Sequence, residues 1–347
     1  MNENLSKELC CKLSGVSVII PAYNVESCLS RAVLSALNQD PPPLEVIVSN
    51  DGSTDKTAEV AQSFGDRIRY LEQANLGPAA ARNSGLAVAK GEYVAFLDAD
   101  DYWLPGFIRA TTEFMEVNPE AVAVSTGWQI QPLKGAAISF PPLGRQPDIP
   151  CKPCMLENFF DFWARYDHIR TGTALIRSSK LGTDGIQRTD LRICEDLEFW
   201  AFLATKGPWG FIPEACWFGD SAREAARGGW IKKYFARRKF CPTVQMWQVR
   251  VLPNIKEDVL PSFKRIRGKV AASYVHNMVL AGRHQEARET FEAYAKEMPM
   301  TWITRLMFAG YRLGSFGWAS SCGFLRLREY QKALVLAVGQ KLSTVKR

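Results

Sequence analysis

The chain has 347 residues, 47% of them hydrophobic and 23% charged, with a net charge of +7; this is ample for a globular core and argues against intrinsic disorder. Nine cysteines, odd in number and scattered, do not form a secreted disulfide framework. Met1–Ser14 lacks the charged-then-apolar order of a secretory signal, and no 18-residue apolar run occurs, so a cytoplasmic location without a spanning helix is expected.

In chain order, 16–20 is a short β-branched strand, and Ser27 can cap a helix whose apolar positions Leu29, Val33, Leu34 and Leu37 recur at helical spacing. A second strand at 44–48 leads into Asn50-Asp51-Gly52-Ser53-Thr54-Asp55 and a helix over 57–64. A third strand spans 68–71, and an alanine-rich helix spans 78–89. Lys90-Gly91 reads as its stop, before a fourth strand, Tyr93–Leu97. Strands alternating with helices of this length predict an α/β fold: a mostly parallel sheet flanked by helices, followed by an α-helical C-terminal region.

The chemistry gathers where these strands end. Asp98-Ala99-Asp100-Asp101 follows the fourth strand directly, and open α/β sheets bind ligands at that edge. Carboxylates there can hold Mg²⁺ or Mn²⁺ while phosphates complete the shell; a helix cap ahead of Pro105 is the competing reading. The first strand ends in Pro21-Ala22-Tyr23-Asn24, with neither a Gly-x-Gly-x-x-Gly nor a Gly-Lys-Ser/Thr loop, and suits a base-stacking wall better than a phosphate cradle. Asp51 can accept a hydrogen bond from a uracil or thymine imide, or simply make a turn. Cys151-Lys-Pro-Cys154 has no second pair or nearby His, so neither zinc nor redox chemistry is the expectation there.

Four segments in this order, 16–24, 49–55, 75–85 and 96–101, resemble family 2 glycosyltransferases, and the likeness covers roughly residues 14–220. The resemblance implies a GT-A fold and an inverting, metal-dependent transfer from a nucleotide sugar, here a UDP-sugar, to a saccharide or lipid-linked hydroxyl in cell-surface polysaccharide or glycolipid synthesis. It implies donor contacts at Pro21, Ala22, Tyr23, Asp51, Arg82, Asp98 and Asp100: Tyr23 and Asp51 on the base, Asp98 on the ribose and Asp100 on the metal. For Arg82, a structural ion pair is the other reading. Asn50 departs from the family, which more often has paired aspartates here. Glu195-Asp196, opening an amphipathic helix about 95 residues past the Asp98–Asp100 element, resembles the family's Glu-Asp motif. Asp196 is then the catalytic base and Glu195 orients the acceptor or the base, although acids at a helix start also favour the dipole. The segment 171–177 reads as an acceptor-side strand, with His168 before it as a structural residue or an acceptor contact. A nucleotidyltransferase would need a basic loop after the first strand, and a non-catalytic GT-A domain would predict loss of Asp100 or Asp196.

Residues 221–347 hold 24 Lys+Arg against 8 Asp+Glu and the remainder 19 against 28, which returns the net +7. Helices are expected around 230–238, 264–280 and 284–297, the last two as a hairpin about Ala281-Gly282-Arg283. Between Met298 and Leu325 only Arg305 and Arg312 are charged, while Trp302, Phe316 and Trp318 are aromatic. Such a segment suits an anionic membrane surface, with a packing cap as the alternative; no nucleic-acid motif accompanies the charge. The expected parts are a tail (1–14), a catalytic domain (15–220, divided at 101 into nucleotide and acceptor halves) and a basic helical region (221–347).

Overall fold

The β-branched run at the start forms β1 (Leu13–Ala22), where Val18, Ile19 and Ile20 are all buried. Burial on both faces is what a parallel strand covered by helices requires. The structure, a computed structural model, describes residues 13–132, 135–142, 147–182, 185–220 and 238–344. Nearly all of the expected tail, and the expected helix at 230–238 apart from Arg238, lie outside them.

β2 (Glu45–Asp51), β3 (Arg69–Gln73) and β4 (Gly91–Phe96) complete the first half of the sheet, all pairing in parallel in the order β3-β2-β1-β4. The chain builds outward from β1 to β3 and then returns through α3 (Pro78–Val88) to β4 on the other side of β1. That reversal is the topological switch point, where the carboxyl ends of adjacent strands leave a crevice.

Beyond β4 the sheet is mixed. β6 (Ala123–Gln131) and β10 (Trp209–Asp220) run parallel to each other, and β9 (Ala174–Arg177) lies antiparallel between β4 and β6. The two-residue β5 (Tyr102–Trp103) closes the edge on β10, while β7 (Ile138–Phe140) and β8 (Cys154–Met155) pair off the main path. Register puts Trp103, Trp217, Trp128 and Phe140 in one row across four strands.

Three local expectations change. Gly91 is not a helix stop but the first residue of β4, where a Cβ would meet the backbone of Ser17 and Gly15. Helix α1 (Leu29–Leu37) begins after Cys28, whose side chain makes no cap bond, so Ser27 is not its N-cap. Residues 171–177 are a 3₁₀ turn, Thr171–Thr173, and only then a strand, because Thr173 Oγ1 bonds back to Arg170. Two further helices of this half, α2 (Thr57–Gln62) and α4 (Phe107–Val117), follow β2 and β5. α5 (Phe159–Tyr166) is capped by Asn158, whose side chain accepts from the Asp161 amide.

The chain divides into two compact units, one of residues 1–189 and 199–224, the other of residues 190–198 and 225–347. The second is helical: α7 (Val244–Gln248), α8 (Leu260–Ala281), α9 (His284–Tyr294), α10 (Trp302–Arg312) and α11 (Gly314–Thr344). α8 and α9 form the expected hairpin, with Gly282 in the left-handed region at the end of α8. Trp318 joins the core of this unit, its indole N–H donating to the His284 carbonyl and its ring against Phe291, so it is not available to a membrane.

Candidate active site

The loops at the carboxyl ends of β1 and β2 hold each other through side chains. Asn24, at φ 53°, accepts from the Thr54 amide at 2.8 Å, and its own amide donates to Ser53 Oγ at 3.0 Å. The Val25 amide donates to Thr57 Oγ1, the Glu26 amide to Asp55 Oδ2 and the Lys56 amide back to Glu26 Oε2. Gly52, at φ +69°, makes the turn that this requires, and a Cβ there would stand 2.9 Å from the Asn75 amide nitrogen. Asn50 accepts from the Ser53 amide and hydroxyl, which gives it a turn-building role where the family's acid would stand. Pro21 is half-buried, Ala22 buried and Tyr23 exposed on this edge.

Asp51 is buried and engaged. Its Oδ1 accepts from Gln73 Nε2 at 2.7 Å and the Leu76 amide at 2.9 Å, and its Oδ2 from the Gly77 amide at 2.8 Å. The carboxylate therefore anchors the segment that opens α3, and a carboxylate has about four acceptor positions in all. Both the turn reading and the base-contact reading are compatible with that occupancy.

Asp98 lies one residue past Leu97, whose amide still pairs with the Ile19 carbonyl of β1, and so stands at the switch point. Arg82 of α3 donates to Asp98 Oδ1 at 2.6 Å and, through its other terminal nitrogen, to Gln187 Oε1 at 3.1 Å. The arginine is buried and the aspartate partly open to solvent; the pair fixes where the carboxylate points. The Asp101 amide donates to the Asp98 carbonyl, closing a turn over Asp98–Asp101. Arg31 of α1 donates to the Asp100 carbonyl at 2.6 Å and stacks over Tyr102 at 4.5 Å, holding that turn from the other side. No helix cap forms from these aspartates, since α4 starts after Gly106.

A divalent cation is the group these residues imply. Among the described residues no three of His, Cys, Asp and Glu converge into a cage. Mg²⁺ and Mn²⁺ need none: one or two hard carboxylate oxygens suffice when substrate phosphates and water supply the rest. Asp100 could give such an oxygen, next to an Asp98 whose Oδ1 is already held by Arg82.

Behind this edge, the Trp103 indole N–H donates to the Gly172 carbonyl at 2.7 Å, tying the strand after Asp101 to the turn at 171–173. His168 is fully buried, ringed by Phe159, Phe162 and Phe211 at centroid distances of 5.4, 4.8 and 5.9 Å, and neither ring nitrogen has a hydrogen-bond partner. Burial, with the Arg170 charge adding to it, pulls its pKa down to about 3. His168 is thus a neutral structural residue.

Glu195 and Asp196 open α6 (Glu195–Ala204), and residues 190–198 pack within the helical unit. Cys194 before them takes a left-handed φ of 59°. Its carbonyl accepts from Trp247 Nε1 at 3.2 Å, and the Ile193 carbonyl accepts from Tyr274 Oη at 2.9 Å. Glu198, wholly buried, is clasped by Arg250 through Nε at 2.6 Å and a terminal nitrogen at 2.8 Å. Burial, with the neighbouring acids Asp196 and Glu195, pushes the Cys194 thiol far up, so it stays protonated.

Tyr23, Asp51, Asp98 and Asp100 thus follow the carboxyl ends of neighbouring strands in the first unit, while Glu195 and Asp196 belong to the second. Sequence reasoning missed Asn24, Arg31, Gln73, Gln187 and Arg250. An asparagine right after a strand is the usual non-glycine choice for a left-handed turn, so Asn24 carried a signal; the others act through partners far away in the chain.

The sequence model of the family described as "Glycosyl transferase family 2" matches residues 17–138. That segment, about a third of the chain, is similar to glycosyl transferase family 2. Curated relatives match over a similar stretch. An uncharacterized glycosyltransferase of Bacillus subtilis (strain 168), EpsJ, is 40% identical over 106 residues, 30% of this chain and 31% of that protein. Chondroitin synthase of Pasteurella multocida (strain Pm70) is 40% identical over 121 residues, 34% of this chain and 12% of the synthase. The chain therefore spans well under half the length of these curated relatives. Solved structures reach further: S. aureus TarS 1–349 in complex with UDP-GlcNAc superposes with a TM-score of 0.61 at 16% identity, covering 92% of each chain. The mannosyltransferase PcManGT from Pyrobaculum calidifontis, bound to GDP-Man and Mn²⁺, gives 0.51 at 18% identity over 91% of this chain and 88% of its own. At such identities the likeness establishes the fold, GT-A-like, and no more.

Proposed function

We propose that the chain is an inverting glycosyltransferase that moves a sugar from a UDP-sugar to a saccharide or lipid-linked acceptor hydroxyl, in cell-surface polysaccharide or glycolipid synthesis. The observation that carries this reading is the placing of Tyr23, Asp51 and the Arg82–Asp98 pair at the carboxyl ends of β1, β2 and β4 around the switch point. Tyr23 supplies a face for the base. Asp51 keeps one acceptor position for the uracil imide N–H once its three protein donors are counted. Asp98, oriented by Arg82, takes the ribose hydroxyls. Asp100, with Asp98 beside it, would hold the divalent cation, whose Lewis acidity offsets charge developing on the leaving diphosphate. Asp196 removes the acceptor proton as the hydroxyl attacks the anomeric carbon from the face opposite the nucleotide, with Glu195 orienting it. The basic balance of residues 221–347 adds contact with an anionic membrane surface to this reading.

TarS bound to UDP-GlcNAc and PcManGT bound to GDP-Man supply the first two donors to try. The test is a panel of nucleotide sugars with Mn²⁺, scored by nucleoside diphosphate release and by titration of UDP against GDP. UDP-sugar turnover that EDTA abolishes is the expected result. A chain that binds no nucleotide, or turns over fully in EDTA, refutes it.

A further inference from the structure

Helix α11 is two-sided. Trp318, Cys322 and Leu325 are buried within the helical unit, whereas Phe316 is 85% exposed, Leu313 just ahead of it in the chain 75%, and Phe324, Leu327 and Tyr330 all more than half exposed. At about 100° per residue, Phe316, Phe324 and Leu327 fall within an arc of roughly 80° that Ser320 and Gln331 share, Tyr330 lies roughly 40° beyond one edge, and Arg326 and Arg328 lie roughly 80° and 40° beyond the two edges. Within 298–331 the charged side chains are Arg305, Arg312, Arg326, Arg328 and Glu329, and the glutamate is buried. Arg328 stacks over the exposed ring of Trp302 at 3.9 Å. A groove of about 600 Å³ is lined by Leu280, Gly323, Arg326, Leu327 and Tyr330.

We propose that this face of α11 is a docking surface for an anionic phospholipid bilayer. Three exposed apolar side chains on one arc, with cations beyond its edges, match a helix lying in the interface, its rings among the acyl chains and Arg326 at headgroup level. A second copy of the chain fits less well. A two-fold contact through this face would set arginines against arginines, with only a buried glutamate to answer them. The proposal deepens the membrane part of the function above and rests on it for its purpose, which is to concentrate the enzyme where lipid-linked acceptors reside. It is measured without turnover, so the two fail separately.

The experiment is co-sedimentation of the full chain with phosphatidylcholine vesicles, with and without phosphatidylglycerol. Binding that requires phosphatidylglycerol and weakens with salt is expected. Arg312→Gln with Arg326→Gln should lower the partition coefficient roughly fivefold per charge. Phe316→Ser with Phe324→Ser, both at exposed positions, should remove the part of binding that salt leaves behind. Soluble donor turnover should be unchanged in both variants, which separates lost docking from misfolding. Equal binding to neutral and anionic vesicles overturns the proposal, as does absence of binding to either. A solution dimer that Phe316→Ser with Phe324→Ser dissociates would assign the face to a second copy instead.

Discussion

At the scale of single residues, the carboxylates at the strand ends differ in what they can lose. Asp100→Asn keeps the shape of its turn, which Arg31 holds through the backbone carbonyl. It should therefore leave the urea midpoint in place while Mn²⁺-dependent turnover falls by several kcal/mol in barrier, as steady-state kinetics with and without metal would show. Asp51→Ala should cost both affinity and stability, because the Leu76 and Gly77 amides lose this acceptor in a part-buried setting, at about 0.5–1.5 kcal/mol for each hydrogen bond. If UDP titrations are unchanged while the urea midpoint drops, Asp51 is a turn residue alone. Asp196→Asn should lower kcat by about 10²–10⁴ with donor affinity preserved; lost UDP binding would move it to the donor side. His168 makes the pH dependence directional. Its folded pKa of about 3 lies below the 6.5 of a free imidazole, so between those values the unfolded chain binds the extra proton and stability rises with pH. Moving from neutral pH to pH 5 should cost about 2 kcal/mol through this residue. His168→Leu, which also removes two unpartnered nitrogens, should flatten that part of the urea-midpoint profile. The acidic residues were legible because strand-end carboxylates have few uses. The partners that aim them were not, since Arg82 meets Gln187 and Arg31 meets Asp100 across large sequence separations.

At the scale of elements, the alternation of strand and helix up to β4 was readable because apolar runs and turn residues there share one regular period. What followed was not. β5, β7 and β8 have two or three residues each and take their places from pairing with neighbours rather than from any local pattern. Gly91 shows the same limit: a Lys-Gly pair signals a helix end by composition, and only the approach of the Ser17 backbone shows why glycine is needed. The turn at 171–173 offers the clearest test at this scale. A Cβ on Gly172 would stand 2.2 Å from Trp217 Nε1 and 2.3 Å from Cδ1, within the row of aromatics that supports β5. Gly172→Ala should therefore destabilise by about 1–3 kcal/mol, the usual cost of overpacking. The strand after Asp101 shares the Trp103–Gly172 bond, so metal affinity should fall along with stability. A variant with an unchanged urea midpoint would show that the indole can swing away freely.

At the scale of the whole molecule, charge set residues 221–347 apart, while nothing in composition pointed to the grip of the helical unit on residues 190–198. Trp247, Arg250 and Tyr274, from α7, α8 and the residues between them, hold Cys194, Glu198 and Ile193. Arg250→Gln would leave the Glu198 carboxylate buried and half-answered, a loss of about 3–5 kcal/mol when one partner of such a pair is removed. Glu198→Gln with Arg250→Gln should recover part of it, and a double-mutant cycle in urea measures the difference. Truncation near residue 225 should likewise stop turnover even on soluble acceptors, because Arg250 and its neighbours go with it. A constraint on inheritance follows. A crossover near residue 220, where the sheet ends, would join one parent's Glu198 to another parent's position 250, so exchange of the C-terminal helices between relatives succeeds only if a short stretch from the middle of the chain travels with them. Chimeras built at the visible boundary should fail, and those that also carry 190–198 from the helix donor should fold.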